Sequence, residues 1–264
     1  MNISGKIVSY LRGAGKMFGN VHYFSSKRIL AGKKVAVIGA AATALSVERG
    51  PFIDRHDFVI RLNRALVSWK PENERFIGTK SNILLHNFHE NNDTGGAGKL
   101  DLALFARRGV QYLVQARVDA SGIRTVLNFY RKYRQAYPVY LTSPRRYAEI
   151  KSWFGRHYPT RGFCALALVL QVPCKQVFIT GFTFFKTPYQ AGYREEQPDV
   201  SAALRHIKQQ DMHNPEIELQ RFLELVRASS VEIILLDEFL YELVLHEAPD
   251  LVQRVKRAQP NPLV

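Results

Sequence analysis

The amino-acid sequence predicts a single α/β domain with a Rossmann-like architecture, in which a twisted, mostly parallel sheet carries helices on both faces. Short runs rich in Val, Ile and Leu alternate with helical or loop stretches, which is the pattern of βαβ units. Two of these runs, residues 35–38 and 177–180, end in Gly39 and Gly181. A chain of 264 residues that is 46% hydrophobic can also bury one substantial core.

Six strands are predicted from their apolar character. Buried parallel strands read as nearly continuous hydrophobic runs, because both of their faces are covered. We expect them at Val35–Ile38, Phe58–Leu62, Asn82–Leu85, Tyr112–Gln115, Val177–Thr180 and Glu232–Leu235.

The remaining stretches suggest how the chain is organised. Residues 91–98 are a predicted flexible loop, and residues 184–202 have the broken pattern expected of a lid. The predicted domain occupies residues 33–246. It is preceded by a basic segment, 1–32, and followed by a tail, 247–264, which we expect to be a frayed helix with a disordered end.

Charge limits the classes of partner. The chain has 37 Lys and Arg against 23 acidic residues, a net charge of +14, so its surface attracts polyanions. The basic residues are scattered and lack the signatures of nucleic-acid modules, so no nucleic-acid partner is expected. No apolar run approaches the roughly 20 residues of a membrane span, and no signal peptide is recognisable, which favours a cytoplasmic location.

The N-terminal segment has its own pattern. From Ile3 to Leu30, basic residues are interleaved with apolar and aromatic ones. This stretch has two interpretations: a helix packed on the domain, or a surface that lies peripherally on an anionic inner membrane.

The first candidate site element is the turn after the first strand. The run VAVIG ends at Gly39 and gives way to small residues, which leave room for a phosphate at the backbone. Gly39 and Thr43 are therefore candidate ligand-binding residues. Asn63 follows the second strand, where its amide is a candidate contact to the same ligand. The alternative for Asn63 is a buried residue that only satisfies a turn.

A second element is the segment YPTRGF, residues 158–163, which opens an apolar helix. The Thr160 hydroxyl is expected to cap this helix, and the helix N-terminus can hold an anion. Thr160 and Gly162 would then offer a hydroxyl and backbone N–H groups to a phosphate.

The third element is HNPEIE, residues 213–218, at the start of an amphipathic helix. His213 is a candidate general base because imidazole titrates near neutrality. The alternative is an exposed histidine beside a helix cap. Glu218 is predicted to orient the loop or the His213 ring, or only to cap the helix.

Other chemistries have little support. There is no Asp-x-Asp after a strand and no His/Cys cluster with ligand spacing, so neither a metal site nor a cofactor is expected. No Gly-x-Ser-x-Gly turn provides an activated nucleophile.

In their order and spacing, the three segments resemble the motifs of the animal-type sialyltransferases, glycosyltransferase family 29. Residues 35–63 are similar to the large motif, residues 158–182 to the small motif, and residues 213–218 to the very small motif. The resemblance extends from about Val35 to Asp237. It implies a variant of the GT-A glycosyltransferase fold, a CMP-activated donor and an inverting displacement in which His213 deprotonates the acceptor. The donor-binding residues would then be Gly39, Thr43, Asn63, Thr160 and Gly162, with the Asn63 amide in contact with ribose or cytosine.

The chain also departs from that family. Animal members have Gly-Asn-Ser-Gly-Asn in the first turn, whereas this chain has Gly-Ala-Ala-Ala-Thr at residues 39–43. The third motif, His-Tyr-Tyr-Glu/Asp, has only residues 193–196 as a counterpart, and Arg194 or His206 is a candidate replacement for its His.

The family's disulfide is also missing from the sequence. The resemblance pairs Cys174 with a position that is Val35 here, so Cys174 and Cys164 are expected to be free thiols in a reducing compartment.

These observations predict a metal-independent, inverting glycosyltransferase. Its donor would be a CMP-activated ulosonic acid, either sialic acid or 3-deoxy-octulosonic acid (Kdo). Its acceptor would be a glycan or glycolipid of a bacterial lipopolysaccharide or capsule. The alternative is a noncatalytic basic α/β module that binds nucleic acid or acidic glycan.

Overall fold

One parallel sheet organises the chain. The computed structural model describes residues 3–90, 98–133, 135, 137–194, 196–197 and 199–259. Within these residues nine strands form a single sheet in the order β1-β6-β5-β4-β3-β2-β7-β8-β9, with every neighbouring pair parallel. The strands are β1 Val21–Phe24, β2 Lys34–Ile38, β3 Phe58–Leu62, β4 Ile83–Leu85, β5 Tyr112–Gln115, β6 Val139–Thr142, β7 Gln176–Thr180, β8 Ile233–Leu236 and β9 Val255–Arg257. The six predicted strands are confirmed to within one residue at each end.

Three strands, β1, β6 and β9, were not predicted from the sequence. β1 and β9 are the two edges of the sheet and expose two residues each, so neither gives a continuous apolar run. Only the pairing of β1 with β6, and of β9 with β8, defines them as strands.

The segments placed outside the predicted domain, 1–32 and 247–264, therefore each contribute a strand to the sheet. In the C-terminal tail, a 3-10 helix, Pro249–Gln253, and β9 occupy the place of the expected frayed helix. Residues 260–264, the end expected to be disordered, and residues 91–97 of the predicted loop lie outside the described residues.

The helices connect the strands. They are α1 Ile3–Asn20, α2 Ser26–Leu30, α3 Gly50–Asp54, α4 Glu74–Ile77, α5 Leu102–Arg107, α6 Ala120–Lys132, α7 Pro144–Ser152, α8 Arg161–Leu170, α9 Val200–Gln210, α10 Pro215–Arg227 and α11 Glu238–Glu247. None of the described helices is long and apolar enough to cross a membrane.

Helices cover both faces of the sheet, as predicted. Along β2, Val35 and Val37 belong to the core that contains α8, whereas Ala36 and Ile38 pack with Ile53 of α3 and other residues of the opposite face. This alternation follows from the period of two along a strand.

The sheet has a topological switch point at β2. Its two neighbours are β3 and β7, so successive connections leave it in opposite directions. Ile38 is paired with Thr180, which brings the residues after both strands, Gly39 and Gly181, side by side. In open parallel sheets, ligands bind at such a point, beyond the carboxyl ends of the strands.

Candidate functional site

A cleft of about 410 Å³ lies at this edge of the sheet. Loops from the central strands and the first turn of α8 form its walls, and the segment that leads into α10 closes one side. The structure brings six of the seven predicted site residues to this cleft: Gly39, Asn63, Thr160, Gly162, His213 and Glu218. The seventh, Thr43, is not among its lining residues. It lies in a 3-10 helix, Ala42–Leu45, and its hydroxyl is buried without a hydrogen-bond partner among the described residues.

Gly39 and Gly181 are in close backbone contact. The Gly39 N–H donates to the Thr180 carbonyl at 2.7 Å, and the Ala41 N–H donates to the Gly181 carbonyl at 3.1 Å. A Cβ atom on Gly39 would lie 2.1 Å from the Gly181 carbonyl oxygen, so a larger residue cannot be accommodated there. Gly181 has φ of +73°, a conformation that glycine adopts readily. Both glycines are therefore required by the geometry of the cleft floor.

Asp237 holds the second of these turns. One of its carboxylate oxygens accepts hydrogen bonds from the Gly181 N–H and the Thr180 hydroxyl, each at 2.8 Å, and the other accepts from Leu240 N–H. Burial raises the pKa of Asp237. The sequence analysis did not identify this residue, although an Asp that follows a strand and caps a helix is a recognisable signal.

Thr160 and Glu218 are joined by two hydrogen bonds. The Thr160 N–H donates to Glu218 Oε1 at 2.6 Å, and its hydroxyl donates to Oε2 at 3.0 Å. The same hydroxyl accepts the Phe163 N–H at 3.0 Å, which confirms the predicted cap of α8. The predicted donation of this hydroxyl to a phosphate therefore competes with its hydrogen bond to Glu218. The first-turn N–H groups of Arg161 and Gly162 remain as donors at this helix end.

His213 is fixed by the same segment. Its Nδ1 lies 2.7 Å from the Tyr158 carbonyl oxygen, so Nδ1 carries the proton and Nε2 is the unprotonated nitrogen of the neutral ring. The Tyr158 N–H donates in turn to the Met212 carbonyl at 2.7 Å. The two candidate site residues of the HNPEIE segment are thus both bonded to residues just before α8. His213 is bonded to Tyr158, and Glu218 is bonded to Thr160.

Burial changes the pKa of both groups. It lowers the pKa of His213, and the nearby cations Arg161 and Arg117 lower it further, so the ring is neutral at pH 7. Burial raises the pKa of the Glu218 carboxyl to about 7, although the hydrogen bonds from Thr160 favour its charged form. The neutral His213 ring therefore has the protonation state that a general base needs.

The cleft also contains a group of basic side chains, Arg117, Arg161 and His89. The Arg161 Nε is buried and has no hydrogen-bond partner among the described residues. Burial lowers the pKa of both Arg161 and His89, and the neighbouring Arg117 adds to this effect. Arg117 is oriented by an ion pair with Asp119 at 2.7 Å. The guanidinium groups of Arg161 and Arg117, which are only partly exposed, favour an anionic ligand.

Asn63 satisfies a turn, and it also lines the cleft. Its side-chain oxygen accepts the Asn87 N–H at 3.1 Å, and its backbone has φ of +44°, so it stabilises the turn after β3. Asn63 also lines the cleft, and its side-chain NH₂ is the part that a ligand can use as a donor.

Residues 184–194, which are part of the predicted lid segment 184–202, lie across the first turn, and residues 200–202 begin α9. The Ala42 N–H donates to the Pro188 carbonyl at 3.0 Å, and the Gln190 N–H donates to the Ala40 carbonyl at 2.9 Å. Tyr189 and Tyr193 stack with ring centroids 5.4 Å apart, and both line the cleft.

Both candidate replacements for the third-motif His, Arg194 and His206, also line the cleft. Arg194 is paired with Glu196 at 3.0 Å.

The two cysteines are buried and free, and burial raises the pKa of each thiol to about 12. Val35, at the position that the resemblance assigns to a cysteine partner, is buried in β2 and paired with Val177. Among the described residues, no group of three or more His, Cys, Asp or Glu is arranged to hold a metal ion.

Comparison with known proteins assigns this chain to a family. The model of glycosyltransferase family 29 (sialyltransferase) matches residues 20–230. The human CMP-N-acetylneuraminate-beta-galactosamide-alpha-2,3-sialyltransferase 1 is 25% identical over 189 residues, which are 70% of this chain and 54% of that protein. The mouse protein of the same name is 23% identical over 190 residues, 70% of this chain and 55% of that protein. The chain therefore spans about half the length of these relatives.

Solved structures share the fold. A mammalian sialyltransferase in complex with Gal-beta-1-3GalNAc-ortho-nitrophenol has a TM-score of 0.53 at 16% identity, over 89% of this chain and 86% of that chain. The sialyltransferase CstII from Campylobacter jejuni, in complex with cytidine-5'-monophosphate, has a TM-score of 0.50 at 13% identity, over 78% of this chain and 80% of that chain. Because the family model covers well over half of the sequence, this protein belongs to glycosyltransferase family 29, the sialyltransferases.

Proposed function

We propose that this protein transfers a ulosonic acid, sialic acid or Kdo, from a CMP-activated donor to a hydroxyl of a glycan or glycolipid. The observation that carries the proposal is the placement of His213. Its neutral ring, with Nδ1–H bonded to Tyr158, lines the same cleft as the Gly39 turn and the first turn of α8. A base, a glycine turn that lines the cleft and a helix N-terminus are therefore combined in one site.

The donor nucleotide is proposed to bind across the switch point. The turns at Gly39 and Gly181 line this part of the cleft, and Asn63 provides an amide for ribose or cytosine. The N–H groups of Arg161 and Gly162, at the positive end of α8, are suited to the phosphate or carboxylate of the donor. Thr160 and Glu218 support this helix end rather than donating to the ligand.

The basic side chains favour an acidic sugar. A ulosonic acid carries a carboxylate at the reacting carbon, and Arg161 has a buried Nε without a hydrogen-bond partner among the described residues. A charge-assisted hydrogen bond from a guanidinium to a carboxylate is stronger than one between neutral groups. Arg161, with Arg117 beside it, therefore gives a physical reason to prefer an acidic donor over a neutral sugar.

The chemical step follows from these positions. His213 Nε2 accepts the proton of the acceptor hydroxyl while the hydroxyl oxygen bonds to the anomeric carbon of the donor. The bond from that carbon to the phosphate oxygen breaks, and CMP leaves with the electron pair. Because attack occurs on the face opposite the leaving phosphate, the configuration inverts. The donor is already activated, so positioning and a single proton transfer account for the catalysis, without a metal ion.

We assign the reaction to the synthesis of a bacterial surface glycan, such as lipopolysaccharide or capsule, in the cytoplasm at the inner membrane. The two free, buried cysteines are compatible with a reducing compartment.

The test is a donor panel. Transfer to glycan acceptors is measured with CMP-sialic acid and CMP-Kdo, in the presence of EDTA, with UDP-sugars as the control. We expect transfer from a CMP donor and none from UDP donors. CMP at about a hundred times its dissociation constant should also stabilise the fold by roughly 2.7 kcal/mol without added metal. The proposal fails if neither CMP-sugar is used, or if CMP raises the melting temperature only with a divalent ion. Salt-sensitive polynucleotide binding without any CMP effect would instead favour the noncatalytic module.

A further inference from the structure

Helix α1 attaches to the domain through one face. The Arg131 guanidinium of α6 lies 3.6 Å from the centre of the Tyr10 ring, and its Nε donates to the Ser9 hydroxyl at 3.3 Å. Gly13 is buried against the same arginine, and Lys16 donates to the Tyr133 carbonyl at 3.1 Å. The helix is thus packed on the domain, which was one of the two interpretations of its sequence.

The opposite face of α1 is apolar and exposed. Ile7, Leu11 and Phe18 have exposed fractions of 54%, 68% and 94%. With Ala14, these residues follow the spacing i, i+4, i+7 and i+11, so they form one stripe along the helix. A helix packed on a soluble domain normally turns its polar side outwards, but in α1 the outward stripe is hydrophobic. This stripe needs a partner.

The surrounding charge identifies the partner. The first 47 residues contain seven Lys and Arg and no Asp or Glu. Two of these residues, Lys6 and Arg12, are exposed on α1 itself. A second copy of this chain would bring an equally basic surface against the stripe, with a net charge of +14 on each molecule. An anionic lipid bilayer satisfies both the apolar stripe and the basic residues beside it.

We propose that α1 is an interfacial helix that docks the enzyme on an anionic membrane. Its stripe, Ile7, Leu11 and Phe18, inserts at the level of the lipid headgroups, and Lys6 and Arg12 contact the lipid phosphates. The contact is peripheral, because the helix remains packed on α6. The inference is independent of the donor, and it holds whether or not the proposed transfer reaction is correct.

The experiment measures co-sedimentation of the full chain with vesicles. We expect binding to vesicles of phosphatidylcholine mixed with phosphatidylglycerol, weaker binding to phosphatidylcholine alone, and loss of the difference in high salt. The double variant Leu11→Glu/Phe18→Glu should lower the affinity for the mixed vesicles by about tenfold or more, because it removes two inserted side chains and adds negative charge.

The matched control is Val67→Glu/Val252→Glu, which changes two other exposed apolar side chains. We expect it to bind as the wild type does, and circular dichroism melting checks that both variants are folded. The proposal is overturned if the wild type does not bind anionic vesicles, or if both double variants bind equally well. It is also overturned if the wild type is a dimer that Leu11→Glu/Phe18→Glu dissociates and that does not bind vesicles.

Discussion

Thr160 donates both its backbone N–H and its hydroxyl to the carboxylate of Glu218, at 2.6 Å and 3.0 Å, although 58 positions separate the two residues. Glu218 therefore holds the turn at the start of α8 and has no described hydrogen bond to His213. His213 is held separately, by the Tyr158 carbonyl two residues before Thr160. Glu218 and His213 thus bind two different points of the same turn.

The first prediction concerns the pH dependence of stability. Burial raises the pKa of Glu218 from an ordinary value near 4.5 to about 7, so the folded state binds this proton more tightly than the unfolded state does. The associated stabilisation is present below pH 4.5 and is lost as pH rises through about 7. The variant Glu218→Gln has no titrating group at this position. As pH rises from 4.5 to 7.5, its free energy of unfolding should therefore increase relative to that of the wild type by roughly 2–3 kcal/mol.

Urea unfolding at a series of pH values measures this difference. The matched control is Glu216→Gln, in the same helical turn but exposed. A constant difference between wild type and Glu218→Gln from pH 4.5 to pH 7.5 would contradict the prediction.

The second prediction separates catalysis from binding. His213→Gln removes a proton acceptor that is needed mainly in the transition state, so kcat should fall by about a hundredfold to ten-thousandfold. The dissociation constant for CMP should remain nearly unchanged. His246→Gln, at an exposed histidine far along the sequence, is the control. If His213→Gln keeps full transfer with both CMP-sialic acid and CMP-Kdo, His213 is not the base.

The third prediction uses the pH dependence of the same residue. Burial and the neighbouring Arg161 and Arg117 lower the pKa of His213 from its ordinary value of 6.5. The ring therefore stays mostly neutral at pH values somewhat below 6.5. The acidic limb of kcat against pH should therefore have its midpoint below 6.5. Replacing Arg161 with Gln removes one of these cations and should shift that midpoint upwards. A midpoint above 6.5 in the wild type would contradict the assignment.

The fourth prediction concerns selection of an acidic donor. Arg161→Gln removes a guanidinium that is proposed to contact the carboxylate of the sugar. A hydrogen bond to a charged group typically contributes about 1.5–3 kcal/mol. KM for the CMP-sugar should rise by roughly tenfold to a hundredfold, while the affinity for CMP alone should change much less. Arg145→Gln removes the same charge from an exposed position of α7 and serves as the control. Equal losses for CMP and the CMP-sugar would place Arg161 at the phosphate instead.

The fifth prediction is chemical. Cys164 and Cys174 are buried thiols with pKa values raised to about 12, so neither should react with a thiol reagent in the folded protein at neutral pH. Both should react after unfolding, and reductant should leave the melting temperature unchanged. Detection of a Cys164–Cys174 bridge by mass spectrometry would contradict this.

Much of the site was predictable because its signals are local. The turn at Gly39, the cap at Thr160 and the His213 segment are each defined by a few neighbouring residues. Thr43 does not line the cleft, because spacing along a turn does not determine which side chain faces it. Arg161, Asp237 and Tyr158 were not identified as site residues, since their contacts lie between segments far apart in the sequence.

The sequence by itself determined the central strands, the two glycine turns, the helix cap and the family motifs. These features depend on short apolar runs and on backbone conformations that only a few residues adopt. The tertiary structure alone decided the edge strands β1 and β9, which exist through pairing with a neighbour. It also decided that Glu218 holds Thr160 and that Asp237 holds Gly181. The physical reason is that a hydrogen bond between distant segments leaves no periodic pattern in the chain, and only folding brings its two partners together.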